Sequence, residues 1–171
     1  MRQEHVHFPL HPETPSGGIA LAELFAGRGA DLNAMHSRMK SLMDTEGLPY
    51  ARRERTYNSR LAQELGKWGE VAGRPAIHDA LYRAYFVDGT DIGNIDALVG
   101  VAERVGLPAD EARHILNERA FRAAVDRDWA HAHALGVTAV PTFIAGGRAV
   151  VGAQPYETLE QLVQLAGAKQ C

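Results

Sequence analysis

The sequence predicts an α/β fold in which a large helical block interrupts a small β-sheet. Residues 4–10 alternate polar and apolar side chains, which is the pattern of a half-buried strand. From Leu21 to about Leu135 apolar residues recur at helical spacing, and alternation returns over residues 142–151 around a Gly-Gly turn. At 171 residues and 46% hydrophobic, the chain can bury one substantial core, and two independent domains are not expected.

The N-terminal segment is predicted as a short strand followed by a loop. The apolar residues on one face of the strand are Val6, Phe8 and Leu10. Pro9 cannot donate a ladder hydrogen bond, which indicates a sheet edge or a strand end. Residues 11–18 are dense in proline and glycine and are predicted to form a loop. His5 and His7 share the other face and could hold zinc with His11, but spacing fixes no acidic or thiol ligand nearby, so no metal is expected.

Glycine and proline divide the helical block into separate helices. The predicted helices run from Leu21 to Gly47 (one long helix or two consecutive ones), from Asn58 or Ser59 to about Gly73, over 76–87, from Asn94 or Asp96 to Gly106, briefly from Asp110, and over 121–135. Pro49 and Pro108 lie just beyond two of these ends, where proline cannot continue a helix. Asn58 or Ser59 is expected to cap its helix, because a short polar side chain accepts hydrogen bonds from the first free N–H groups.

The C-terminal part predicts a hairpin and a final helix. Thr142 to Ala145 form the first strand, Gly146-Gly147 the turn, and Ala149 to Val151 the second strand. Pro155 suits the first turn of the helix that follows. The apolar face of that helix holds Leu159, Leu162 and Leu165.

The segment before this hairpin, Val137-Thr138-Ala139-Val140-Pro141-Thr142-Phe143-Ile144, places a proline at the mouth of an apolar run. With the hairpin and the helix, it resembles the closing half of a thioredoxin fold. The resemblance implies a cis Val140–Pro141 bond and a Val140 backbone turned outward, where it can pair with an extended thiol substrate as one strand pairs with another. It makes Thr138, Ala139, Val140 and Pro141 candidate substrate-binding residues.

Further motifs extend the resemblance over essentially the whole chain. In order they are Phe8-Pro9-Leu10-His11-Pro12-Glu13-Thr14-Pro15, Leu48-Pro49-Tyr50, Tyr57-Asn58-Ser59-Arg60-Leu61-Ala62, residues 80–86, Asp91-Ile92-Gly93, and Val151-Gly152-Ala153-Gln154-Pro155-Tyr156. The chain is therefore similar to the DsbA family, specifically its cytoplasmic FrnE-like members. This implies a thioredoxin-like (DsbA-type) fold with a large helical insertion. Residues 1–15 and 136–171 would form the thioredoxin-like part, and about 19–135 the insertion and connecting helix.

The chain departs from that family at its start. Relatives normally begin with a first strand and a Cys-x-x-Cys turn, whereas the only cysteine here is Cys171. Thiol-disulfide exchange needs an attacking thiolate at a helix N-terminus, and the sequence gives Cys171 no scaffold of that kind. No catalytic residue is assigned, and the chain is expected to be redox-inactive as it stands. The sheet is thus expected to be N-terminally truncated, with the place of the first strand vacant. Such a gap exposes strand edges, which predicts either dimerisation through the gap or inward movement of the 4–10 strand. A start assigned too late is another alternative.

Two further function classes stay open. A kappa-type glutathione transferase or hydroxychromene-carboxylate isomerase uses glutathione in place of a cysteine pair. By resemblance Asn58 and Arg60 approach the active-site side, where Arg60 could bind a glutathione carboxylate; a helix cap and a surface arginine are the alternative interpretation. A non-catalytic protein that binds peptides or a partner is the other class. No cofactor is expected, with glutathione as the alternative.

Charge and composition limit the partners. The net charge is −3 with both signs interspersed, which favours neither nucleic acid nor an anionic membrane. No stretch is long and apolar enough for a membrane span, and no apolar signal-peptide core follows Met1, so a cytoplasmic location is expected. The expected partner is a peptide or protein that carries a thiol or disulfide, or glutathione.

Overall fold

A computed structural model describes residues 3–27 and 29–167. Its helices are α1 (Leu21–Leu24), α2 (Leu32–Thr45), α3 (Arg60–Val71), α4 (Ile77–Phe86), α5 (Ile95–Arg104), α6 (Ala109–Asn117), α7 (Arg122–Ala134) and α8 (Tyr156–Leu165). Its strands are β1 (Ile19–Ala20), β2 (Arg55–Thr56), β3 (Thr142–Ala145) and β4 (Arg148–Val151). Among these described residues, no helix has the length and hydropathy needed to cross a bilayer.

The chain divides into two compact units. Of the described residues, 3–10 and 126–167 form one, here called the hairpin unit, and those between 11 and 125 form the other, the helical unit. This division follows compactness alone. It does not test the division implied by the family resemblance, which therefore stays a prediction: residues 1–15 with 136–171, and about 19–135.

The core of the helical unit lies between α3, α4, α5 and α6. Its largest fully buried apolar side chains are Leu65, Ile77, Leu98, Leu116 and Val101. Burial of one such side chain contributes roughly 1.5–3 kcal/mol. At Gly69 of α3 a Cβ atom would lie 2.4 Å from Cγ2 of Ile77 in α4. Only glycine therefore permits this close approach of the two helices.

The predicted helices are present, and their ends follow the capping residues. The segment from Leu21 forms two helices, α1 and α2, with the glycine-containing stretch between them. Asp31 caps α2, because its Oδ1 accepts hydrogen bonds from the N–H groups of Asn33 (2.9 Å) and Ala34 (3.1 Å). Asn94 caps α5 through the N–H of Ala97 at 3.1 Å.

The helical unit also contains a small β pair that the sequence did not predict. Ile19 pairs antiparallel with Thr56, and Ala20 with Arg55. The Arg55 side chain donates from Nη2 to the carbonyl oxygens of Gly17 and Gly18, each at 3.1 Å. Strands of two residues are too short to produce an alternating pattern, so the prediction of helices and loops alone over this stretch was wrong.

The predicted hairpin of the hairpin unit is confirmed. β3 and β4 pair antiparallel from Thr142 with Val151 to Ala145 with Arg148. The turn residues Gly146 and Gly147 have φ values of 55° and 74°, as a two-residue turn of the favoured hand requires. The last helix, α8, packs against both strands.

The predicted strand over residues 4–10 is not found. In the part of the chain that the structure describes, these residues pair with no strand, and the sheet of the hairpin unit contains only β3 and β4. The N–H of His7 instead donates to Oδ2 of Asp128 in α7 at 3.0 Å. The rings of Phe8 and His133 lie 5.8 Å apart. Of the three alternating apolar residues only Phe8 is partly buried, beside α7, while Val6 (38%) and Leu10 (52%) are exposed. The alternative in which this segment moves into the sheet is therefore wrong.

Candidate functional site

The candidate site is the loop that joins α7 to β3. The chain leaves α7 through a helix-ending turn in which Gly136 has φ 72°. The N–H of Gly136 donates to the carbonyl of His133 (2.9 Å), and the N–H of Val137 to that of Ala132 (3.0 Å). This pair of bonds is the Schellman arrangement, which requires a left-handed residue and so favours glycine. It directs residues 138–141 away from the helix and into β3.

Hydrogen bonds hold the backbone on both sides of Val140. The Val140–Pro141 peptide bond is cis, as the resemblance implied. The hydroxyl of Thr142 donates to the carbonyl of Ala139 at 2.6 Å. The carbonyl of Pro141 accepts from the N–H of Gly152 at 2.8 Å, one residue beyond β4. Val140 therefore lies in a loop that is fixed immediately before and after it.

The Val140 backbone itself is left open. Across residues 3–27 and 29–167, neither its N–H nor its carbonyl has a hydrogen-bond partner, and the residue is 44% exposed. Two residues later β3 begins, and in the same described part of the chain β3 pairs with β4 alone, so its other edge is unpaired. An unpaired edge presents free N–H and C=O groups to an incoming extended chain. The arrangement can therefore accept a short strand from another molecule.

Apolar side chains accompany this edge. Thr142, Ile144 and Val151 share one face of the hairpin, because Val151 lies opposite Thr142 and Ile144 is two residues further along the strand. Ile144 is 42% exposed and Val151 52% exposed. Ile144 lies on β3 itself and offers apolar surface to a strand bound at the free edge, whereas Val151 lies on β4, at the opposite edge of β3.

Asn58 belongs to the helical unit, where it ties the 11–18 loop to the start of α3. Its Nδ2 donates to the carbonyl of Thr14 (2.8 Å) and to that of Pro12 (3.2 Å). Its Oδ1 accepts from the N–H of Arg60 at 2.9 Å. Asn58 therefore satisfies a free helix N–H group in the way a cap does, although α3 starts one residue after Ser59.

Arg60 also belongs to the helical unit and is part of a buried ion cluster. Its Nε donates to Oε1 of Glu64 at 3.0 Å, and its Nη2 donates to the carbonyl of Arg122 at 2.8 Å. Arg119 donates to both oxygens of the same carboxylate, at 2.9 and 2.6 Å. The Glu64 side chain is 0% exposed and that of Arg60 is 14% exposed. The interpretation of Arg60 as a surface arginine is therefore wrong.

The predicted substrate-binding residues thus fall into two groups. Thr138, Ala139, Val140 and Pro141 lie together in the hairpin unit, whereas Asn58 and Arg60 lie in the helical unit and have internal partners. Assignment of both groups to one substrate site stays a prediction. Cys171 lies outside the described residues.

Sequence reasoning missed Glu64 and Arg119. The spacing of Arg60 and Glu64, four residues apart on a helix, was a signal for one ion pair. Nothing in the sequence pointed to Arg119, which has φ 54° in the turn after α6 and reaches Glu64 from 55 residues away.

The proline loop, the hairpin, the final helix and the helical insertion define a thioredoxin-like protein of the DsbA type. The chain belongs to the DSBA-like thioredoxin domain family, whose family model matches residues 2–164. The resemblance found from the sequence motifs is confirmed at this level.

Two solved structures are similar to the chain. A probable DsbA oxidoreductase from Streptomyces coelicolor matches with a TM-score of 0.87 and 29% identity, covering 98% of this chain and 76% of that one. A putative protein disulfide isomerase from Nitrosomonas europaea matches with a TM-score of 0.63 and 15% identity, covering 78% of this chain and 72% of that one. The second likeness concerns the fold alone.

A sequence relative is more partial. The uncharacterized protein YwbO of Bacillus subtilis is 32% identical over 84 residues. The match covers 48% of this chain and 42% of that protein, so the chain aligns with less than half of this relative's length.

Proposed function

We propose that the proline loop and the free edge of β3 bind an extended peptide that carries a thiol or disulfide, in a FrnE-like member of the DsbA family. The observation that supports this most directly is the exposed Val140 backbone, whose N–H and C=O groups have no partner within the described residues. Backbone pairing supplies affinity that does not depend on sequence, and the exposed Ile144 of β3 supplies an apolar contact.

We propose further that the 171-residue chain binds such a peptide without turning it over. Exchange proceeds when a thiolate attacks a disulfide sulfur, and a second thiol then resolves the mixed disulfide. Cys171 is the single cysteine of the sequence, so no pair of thiols is available within it. The chain is therefore expected to bind the peptide but not to catalyse thiol-disulfide exchange.

A peptide titration tests the docking. The probe is a fluorescent, extended peptide whose central cysteine is replaced by serine, so that fluorescence anisotropy reports docking alone. Val140→Pro removes the N–H donor, and loss of one hydrogen bond worth about 1 kcal/mol weakens binding roughly fivefold. Val140→Ala keeps the donor and is the matched control, with an affinity near that of the wild type. Equal affinity of Val140→Pro and Val140→Ala would refute the backbone pairing.

An insulin-reduction assay tests the absence of turnover. The chain and its Cys171→Ser variant should both reduce insulin, in the presence of dithiothreitol, no faster than dithiothreitol alone. Acceleration by the wild type that disappears in Cys171→Ser would show that Cys171 acts as a nucleophile, and the docking-only proposal would be wrong.

Glutathione is the alternative ligand, and Arg60 was its candidate partner. The internal bonds of Arg60 to Glu64 and to the Arg122 carbonyl argue against that use, because a carboxylate ligand would have to replace them. Calorimetric titration with reduced glutathione should give no saturable heat. Saturable binding that weakens in Arg60→Lys would favour the glutathione-dependent class instead.

A further inference from the structure

Helix α2 of the helical unit is unusual because it has little packing of its own. None of its residues is buried, and within the described residues no helix or strand makes extensive contact along it. Its attachment includes His36, whose Nδ1 lies 2.8 Å from the hydroxyl of Tyr50. A helix of 14 residues in water is only marginally stable without tertiary packing.

An apolar stripe on α2 faces solvent. Met35, Met39 and Leu42, here called the α2 stripe, recur at the spacing that places residues on one helix face. They are 48%, 42% and 44% exposed. Leu48, just beyond the helix, is 51% exposed. A row of half-exposed apolar side chains on a helix with few other contacts indicates an interaction surface.

Charged residues beside the stripe are arranged symmetrically. Arg38 and Glu46 are both exposed, and in the part of the chain that the structure describes neither forms an ion pair. Each lies four residues from Leu42, one on either side. Lys40 and Asp44, by contrast, lie on another face of the helix and already pair with each other at 2.7 Å.

We propose that α2 of this chain packs antiparallel against α2 of a second copy, with the two-fold axis at Leu42, so that Leu42 meets Leu42 and Met39 of each copy lies beside this pair. In that register Arg38 of each copy faces Glu46 of the other, so the interface contains the same pair twice. Such self-complementarity is what a two-fold dimer requires. This inference is independent of the proposed peptide site.

A second copy explains the charges better than an unrelated partner does. A different protein would need only an apolar face, and the equal spacing of two opposite, unpaired charges from Leu42 would have no role. The stripe contains only three half-exposed apolar side chains, whereas a standard interface has about 20–30 residues on each side, so a weak, concentration-dependent dimer is expected.

Sedimentation velocity from micromolar to submillimolar concentration tests the dimer. The wild type should shift from monomer to dimer, and Met39→Glu should remain monomeric because it places a charge in the stripe. Val71→Glu is the matched control: Val71 is 77% exposed on α3, outside the stripe, and this variant should dimerise like the wild type. A wild type that stays monomeric at every concentration overturns the proposal.

Charge reversal tests the register. Arg38→Glu and Glu46→Arg should each weaken the dimer, because each places like charges opposite one another. The double variant should restore wild-type dimerisation, since it exchanges the two signs and keeps the pairs. Failure of the double variant to recover, with both single variants weakened and all chains helical by circular dichroism, refutes the antiparallel register.

Cross-linking locates the axis. In a Cys171→Ser background, Leu42→Cys places a thiol on the proposed axis, and mild oxidation should give a covalent dimer. Lys40→Cys lies on another face of α2 and should cross-link poorly. Equal cross-linking at both positions would contradict the placement of Leu42 at the axis.

Discussion

Substitution of Glu64 by glutamine tests how strongly one buried carboxylate stabilises the helical unit. Glu64 is 0% exposed and receives hydrogen bonds from Arg60 and Arg119. Glutamine keeps the size of the side chain but removes the charge. It also replaces one accepting carboxylate oxygen by an NH2 group, which donates and faces an arginine. The guanidinium of Arg60, which is 14% exposed, then loses its counter-charge.

The expected loss is about 3 kcal/mol. Removal of one partner from a buried ion pair costs about 3–5 kcal/mol. The lower value applies because the Arg119 side chain is 40% exposed and can regain water. For a chain of this length, that loss lowers Tm by roughly 6–12 °C.

Urea unfolding followed by tryptophan fluorescence measures this loss. Trp129→Phe leaves Trp68, which is 5% exposed within the core of the helical unit, as the single reporter. The matched control is Asp44→Asn, which removes a carboxylate from another i,i+4 pair whose side chains are 62% and 59% exposed. That control should cost less than about 1 kcal/mol. If the two variants lost the same free energy of unfolding, the reasoning from burial would be refuted.

Three other substitutions in the helical unit have predictable signs. Gly69→Ala should destabilise by about 1–3 kcal/mol in urea unfolding, because its new methyl group meets the buried Ile77. Gly100→Ala, on a helix with open space around it, should instead stabilise by about 0.5–1 kcal/mol. If both substitutions changed the free energy of unfolding in the same direction, the packing argument would be contradicted. Asn58→Ala should cost about 1–3 kcal/mol because it removes the donor that bonds to the carbonyl of the buried Thr14, and an unchanged midpoint would show that this bond is unimportant.

The sequence predicted the elements whose physics is local. Helices of 10 to 14 residues carry enough apolar repeats to be recognised, and the glycines at their ends supply the required left-handed conformation. The β3–β4 hairpin follows from Gly146-Gly147 between two apolar runs. The proline loop was recognised because its motif spans consecutive residues.

Features that depend on distant residues could not be predicted. The alternation of residues 4–10 indicated burial, but only the structure shows that α7, through Asp128, accepts the His7 N–H that a strand would have bonded. The β1–β2 pair joins residues that are up to 37 positions apart in the sequence, and each strand has two residues, too few for an alternating pattern. Arg119 reaches Glu64 only because α3 and the end of α6 meet in the folded core.

Peptide docking at the exposed backbone of Val140 is tested most directly by the amide signal of this residue. In a ¹⁵N-labelled sample titrated with the serine-substituted peptide, the Val140 amide should shift saturably, and its hydrogen exchange should slow as it gains a partner. Amides of β3 should move with it along the free edge. Saturable binding that leaves Val140 and β3 unchanged would contradict the proposed docking site.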